Sequence, residues 1–266
     1  MKKIGILVGV LVLVLALVAG ISAADSDNDD ATLIVGFDAE FPPYGYKADN
    51  GSYVGFDLEL AQEVCNRNNW TFKAQPIDWD AKDSELSSGT IDCIWNGFSI
   101  TEDRKDKYTW SKPYVNNKQV IVVKSDSGIN SLADLKDKQV ETQKDSSALS
   151  ALEGDNKTIA DTFKELVQIA DYNTAFNDLQ AGACDAVAMD YNTAKYQIQS
   201  KDNANDFKIL DEIITTEDYG IGFKLGNDAL KDKVQSTLDE MQKDGTVAKI
   251  AKNYEEYGVP ESLITQ

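Results

Sequence analysis

Short apolar runs alternate with stretches of helical spacing along most of this chain. Thr32–Phe37 (TLIVGF) is an apolar run between turn residues and predicts a buried strand, which Pro42 and Pro43 follow. Residues 46–53 carry Asp49-Asn50-Gly51, whose turn chemistry predicts a small hairpin. Asp57 reads as the cap of a helix in which Leu58, Leu60, Ala61, Val64 and Cys65 recur at helical spacing. A second strand is expected over 71–77, a short helix over 80–86 and a third strand over 91–95. The pattern restarts at Gln119. Strands over 119–123, 139–142, 166–169 and 186–189 interleave with helices near 131–135, 146–152, 174–181 and 192–199. A strand over 219–224 and amphipathic helices over 229–241 and 247–254 end the chain. This alternation predicts parallel α/β sheets. The 266 residues exceed what one modest core usually holds, so two lobes, or one lobe with large insertions, are expected.

The N-terminus changes the picture first. Lys2 and Lys3 precede an uncharged run over 4–24 that ends in Gly20, Ser22, Ala23 and Ala24. This predicts a signal peptide, residues 1–24, cleaved near Ala24; the run is also long enough for a retained membrane anchor. No cysteine follows it, so a lipid-anchored form lacks its attachment residue. The acidic piece over 25–30 reads as disordered. Removing the two lysines from the 26 basic residues leaves 24 against 45 acidic ones, a net charge of −21 that argues against nucleic-acid or anionic-membrane partners. The chain has no histidine, which excludes Ser-His-Asp and Cys-His catalysis and an ordinary histidine-ligated zinc site; no cofactor or metal is expected. Cys65, Cys93 and Cys184 lack CxxC spacing. In an exported protein one pair, Cys65 with Cys93, is a candidate disulfide, and three buried thiols are about as good a reading.

The densest chemistry lies in residues 92–114 (DCIWNGFSITEDRKDKYTWSKPY), where a strand runs into an Asn-Gly-aromatic-Ser turn and then an arginine. Such a turn sets backbone N–H groups, a hydroxyl and a guanidinium on one arc, which suits an α-carboxylate. For a lone arginine, a solvated surface charge is the better reading, and only agreement with distant residues overturns it. Those residues exist. Residues 36–44 (GFDAEFPPY), 55–58 (GFDL), 77–79 (IDW), 96–101 (NGFSIT) with Arg104, 111–114 (SKPY), 185–187 (DAV) with Asp190 and 219–221 (YGI) stand in one order. Together they resemble the polar amino-acid binding proteins of ABC importers, the bacterial solute-binding proteins of the glutamine, histidine and lysine-arginine-ornithine type. The resemblance runs from Thr32 to about Val259.

The resemblance implies a two-lobed, type II periplasmic-binding-protein-like α/β fold, each lobe a mainly parallel sheet flanked by helices. It places lobe one at 30–113 and 219–266, lobe two at 118–214, and two crossover strands as hinges at 113–118 and 215–219. It also implies site roles. Arg104 takes the ligand carboxylate with the Ser99 amide and Ser147, because a planar fork matches two oxygens. Asp190 meets the ammonium with the Asn96 or Gly97 carbonyl and the Ser99 hydroxyl; taken alone, Asp190 reads as a helix cap. Phe41 and Trp79 sandwich the aliphatic stem, although either is also an ordinary core ring. Specificity falls to Asp38, Glu40, Asn96, Gln143, Ser146 and Met189. Gln143 and Met189 stand where some glutamine binders carry lysine and histidine, which counts against a plain glutamine assignment.

The expected partners are therefore a free polar amino acid, with basic, amide-bearing or cystine ligands favoured and acidic ones least so, and an ABC permease. A monomer outside the cytoplasmic membrane is implied. Two rivals remain open: a membrane-tethered sensing ectodomain, and a cyclohexadienyl dehydratase-like enzyme, for which Glu40 is the one glutamate placed nearby.

Overall fold

The computed structural model describes residues 31–265; the signal-peptide and acidic-leader readings lie outside the described residues. Two five-stranded sheets dominate, each covered by helices. The first runs in the order Thr71–Pro76, Thr32–Phe37, Cys93–Ile94, Gly222–Lys224 and Tyr108–Trp110. The second runs Glu165–Ile169, Gln139–Gln143, Ala186–Asp190, Val115–Lys124 and Phe207–Tyr219. The chain is thus a two-lobed α/β protein.

Alternating strand and helix produce the parallel half of each sheet, namely Thr32–Phe37 with its two neighbours and Gln139–Gln143 with its two. The other half is antiparallel, so each sheet is mixed. Its antiparallel members are the two long strands that pass between the lobes and the strands beside the C-terminal return. The two long strands, Val115–Lys124 and Phe207–Tyr219, pair with Val115 opposite Tyr219, and the Tyr114 amide donates to the Tyr219 carbonyl (3.0 Å). Most of Phe207–Tyr219 carries mixed polar and apolar residues, which is why its pattern predicts no strand before Tyr219. The predicted hairpin forms between Gly45–Lys47 and Tyr53–Val54, with Gly51 at φ +84° in its turn.

Local details depart from expectation in instructive ways. The helix Phe56–Arg67 begins one residue before Asp57, with Gly55 at its cap. Asp57 lies wholly buried in the first turn, where its carboxylate accepts from the Gly97 amide (2.6 Å) and the Tyr114 hydroxyl (2.8 Å). Burial pushes its carboxyl up to about 7, against those two hydrogen bonds. The cap-like acid is therefore a brace under the Asn96–Ser99 turn. The three cysteines are free and buried, so Cys65 and Cys93 pack in the first lobe as thiols.

Candidate functional site

The turn after Cys93–Ile94 is built for close approach. Gly97 adopts φ +55°, and a Cβ there would sit 2.7 Å from the Phe41 ring. Its amide is fixed by Asp57, and Asn96 accepts from the Asp38 amide (2.9 Å), tying the turn to the end of Thr32–Phe37. Arg104, only 4% exposed, lies over the Phe98 ring at 5.1 Å. Its guanidinium donates to the carbonyls of Ser99 (3.4 Å) and, across the cleft, Asp145 (2.6 Å). A solvated surface arginine it is not.

The second lobe meets this turn with the segment 143–147 and the end of Ala186–Asp190. Ser146 caps the helix Ser147–Glu153 by accepting from the Leu149 amide (3.1 Å). Ser147 Oγ lies 3.1 Å from Ser99 Oγ. Asp190 sits at the cap position of the helix Tyr191–Gln199 but makes no capping bond. Its Oδ1 instead turns inward to accept from Asn117 (2.7 Å), Gln119 (2.7 Å) and the Tyr219 hydroxyl (2.6 Å). Burial and then the Glu217 carboxylate push the Asp190 carboxyl up to about 7, against those three hydrogen bonds.

Phe41, Trp79, Asn96, Gly97, Gln143, Ser146, Ser147 and Asp190 line one small inner cavity of about 10 Å³; Ser99 and Arg104 do not line it and reach it only through the Ser99 contact with Ser147 and the Arg104 bond to the Ser99 carbonyl. Asp38 lines a larger outer cavity of about 620 Å³ that shares Trp79 with the inner one and also holds Glu40, Asp78, Asp80, Asp171 and Lys144. Asp38 accepts from Gln143 (2.6 Å) across the cleft; burial pushes its carboxyl up to about 6, with Asp171 and Glu40 adding to the rise. Glu40 is exposed and accepts from Asn173. Trp79 and Phe41 each line the cavity while packing in a hydrophobic cluster. Met189 departs furthest from its expected place. Its side chain is wholly buried in the core and lines neither cavity, because along Ala186–Asp190 it points away from the cleft.

Sequence reasoning missed four participants. Lys82, 1% exposed, ion-pairs with Asp145 and lies 5.1 Å from the Trp79 ring centroid. Asp145 holds φ +55°, which turns its carbonyl toward Arg104 and the Trp79 indole N–H (3.2 Å). Burial and then the nearby Arg104 lower the Lys82 pKa, opposed by Asp145. Glu217 and Gln119 join Ser99, Ser147 and Asp190 in one hydrogen-bonded group. Glu217 stands two residues before the YGI motif, so its place was within reach; Lys82 and Asp145 carried no signal.

A sequence profile of the bacterial extracellular solute-binding proteins, family 3, matches residues 33–257. The chain belongs to this family. As a family 3 protein it is 29% identical over 231 residues to the L-cystine-binding protein TcyJ of Escherichia coli (strain K12), covering 84% of this chain and 82% of that one. Its fold matches a substrate-binding protein of an ABC uptake transporter from Streptococcus pneumoniae with bound histidine. That match has a TM-score of 0.81 and 33% identity, over 86% of this chain and 93% of the other. An ancestral arginine-binding protein bound to glutamine matches with a TM-score of 0.77 and 37% identity, over 84% and 97% of the two chains. Among the described residues of this family 3 protein, no helix is long and apolar enough to cross a membrane.

Proposed function

We propose that this family 3 protein captures a free polar L-amino acid between its lobes, outside the cytoplasmic membrane, and delivers it to an ABC permease. One observation supports the reading: Asn96 and Gly97 of one lobe and Ser147 and Asp190 of the other line the same buried cavity, and Ser99, whose carbonyl accepts from Arg104, stands 3.1 Å from Ser147. In this reading the Arg104 guanidinium and the Asp190 carboxylate meet the two charges of a zwitterion, which would cost several kcal/mol if buried unpaired. The lining around Asp38, where six carboxylates stand against Lys144, with Gln143 facing Asp38, favours a basic, amide-bearing or disulfide-bridged side chain over an acidic one. Relatives named for cystine, histidine and arginine point the same way. The site residues of this reading are Asp38, Phe41, Trp79, Asn96, Gly97, Ser99, Arg104, Gln143, Ser146, Ser147 and Asp190.

Residues 30–113 with 219–266 form the first lobe in this reading and 118–214 the second, hinged at 113–118 and 215–219, where the two long strands run side by side. Ligand contacts from both lobes then favour the closed state by their difference from the open one. An enzymatic role is not favoured: Glu40 is exposed and held by Asn173, and Asp190 is committed to the ammonium. The test is a thermal-shift and calorimetric panel of the standard amino acids with ornithine and cystine, on protein unfolded and refolded to strip ligand. A binder at about a hundred times its Kd adds about 2.7 kcal/mol to stability. Arg104→Ala should weaken that binder by about a hundredfold or more. A panel with no binder, or unchanged affinity in Arg104→Ala, sinks the reading.

A further inference from the structure

The ammonium side of the cleft holds two carboxylates. Glu217 Oε1 accepts from Ser99 Oγ (2.6 Å) of the first lobe and Ser147 Oγ (2.9 Å) of the second. It also accepts from the amides of Asn117 (2.9 Å) and Gln119 (2.8 Å), the same two nitrogens that bond Asp190. Both amides turn their nitrogens to the carboxylates while their buried carbonyl oxygens lack a partner, an arrangement that itself costs free energy. Every donor to the pair is neutral. Arg104, the cation across the cleft, spends its bonds on the Ser99 and Asp145 carbonyls.

We infer that Glu217 is a positioning residue of the ammonium site: it ties the two cleft serines together and sets a second negative charge beside Asp190, so that capture of an α-ammonium is linked to proton release. The inference rests on the amino-acid reading above. The titratable groups around Asp190 are Glu217 and Tyr219 on the second long strand, Tyr44 in the first lobe and Tyr172 at the start of the helix Tyr172–Ala181. Burial raises all three phenols, which stay protonated, so Glu217 is the group that places a like charge on Asp190. Burial and the Glu217 carboxylate raise the Asp190 carboxyl and so favour its protonated form as pH falls. An arriving ammonium favours the carboxylate, and the displaced proton leaves to the buffer.

The test is calorimetry with the amino acid selected by the panel, at pH 5.5 to 7.5 in buffers of different ionisation enthalpy, which counts protons released. Wild-type protein should release protons at pH 6 and bind roughly tenfold or more tightly at pH 7.5 than at pH 5.5. Glu217→Gln keeps the acceptor oxygen and loses the charge. It should release fewer protons and give a shallower profile than wild type, the part of the rise due to burial remaining. Glu217→Asp should retain the slope, and the comparison among variants cancels titration of the ligand itself. Absence of proton release in the wild type overturns the inference, as does a Glu217→Gln profile parallel to wild type, which marks a merely structural role. A panel without any binder sinks the amino-acid reading first and this inference with it.

Discussion

Arg104 shows how far one residue's meaning depends on what surrounds it. On the surface it would be a solvated charge of little consequence; here it is 4% exposed, laid on Phe98 and clasped by carbonyls from both lobes. Gly97 makes the same point through the absence of a side chain. At φ +55°, a Cβ would meet the Phe41 ring at 2.7 Å and the Tyr219 ring at 3.1 Å. Gly97→Ala should therefore lose about 2–4 kcal/mol of stability, combining left-handed backbone strain with overpacking. It should also lower amino-acid affinity, because the Phe41 ring lines the inner cavity and the Tyr219 hydroxyl bonds Asp190. Urea unfolding and calorimetry on the same variant check this, and an alanine tolerated without loss of stability would rule out the tight packing described.

At the scale of elements, the segment 143–147 acts as the second lobe's hand. Gln143 reaches Asp38, Asp145 takes Lys82, Arg104 and Trp79, and Ser147 meets Ser99. The Lys82–Asp145 pair bridges the lobes, and its acid side is half exposed, so solvent screens it. Asp145→Asn separates the carboxylate from the carbonyl, since asparagine tolerates the left-handed backbone and keeps the carbonyl that Arg104 uses. The expected result is a fall in affinity of about five- to tenfold, or about 1 kcal/mol, with the melting point of ligand-free protein nearly unchanged. Calorimetry and scattering-derived dimensions measure both; unchanged affinity would show that the pair adds nothing to closure.

For the whole molecule, buried acids set the response to pH. Asp57 and Asp190 are pushed up to about 7 and Asp38 to about 6, mainly by burial. Folding thus favours their protonated forms. The stability they contribute is complete below the ordinary carboxylate range near 4 and is lost as pH rises through 6 to 7. Acids shifted the other way, Asp103, Asp239 and Asp244, lose their contribution only as pH falls below about 4. A net charge of −19 adds self-repulsion that also eases on acidification. Ligand-free protein should therefore melt higher at pH 5 than at pH 8. Scanning calorimetry across that range decides it, and a profile rising with pH would contradict the burial of these carboxyls.

The sequence by itself determined the alternation of strands and helices, the hairpin at Gly51 and the motifs that mark the family. Local periodicity and turn chemistry act over a few residues and are written in the chain. It also supplied the names of the residues that line the inner cavity, through the family resemblance rather than through pattern. Tertiary structure decided what those motifs do to one another. Asp57 braces the Gly97 turn instead of capping a helix, Asp190 turns inward from its cap position, and Met189 faces the core. Lys82, Asp145 and Glu217 gain their roles from hydrogen-bond partners 41 and more positions away in the chain. Such pairings depend on how two lobes close, and no local pattern in the sequence encodes that distance.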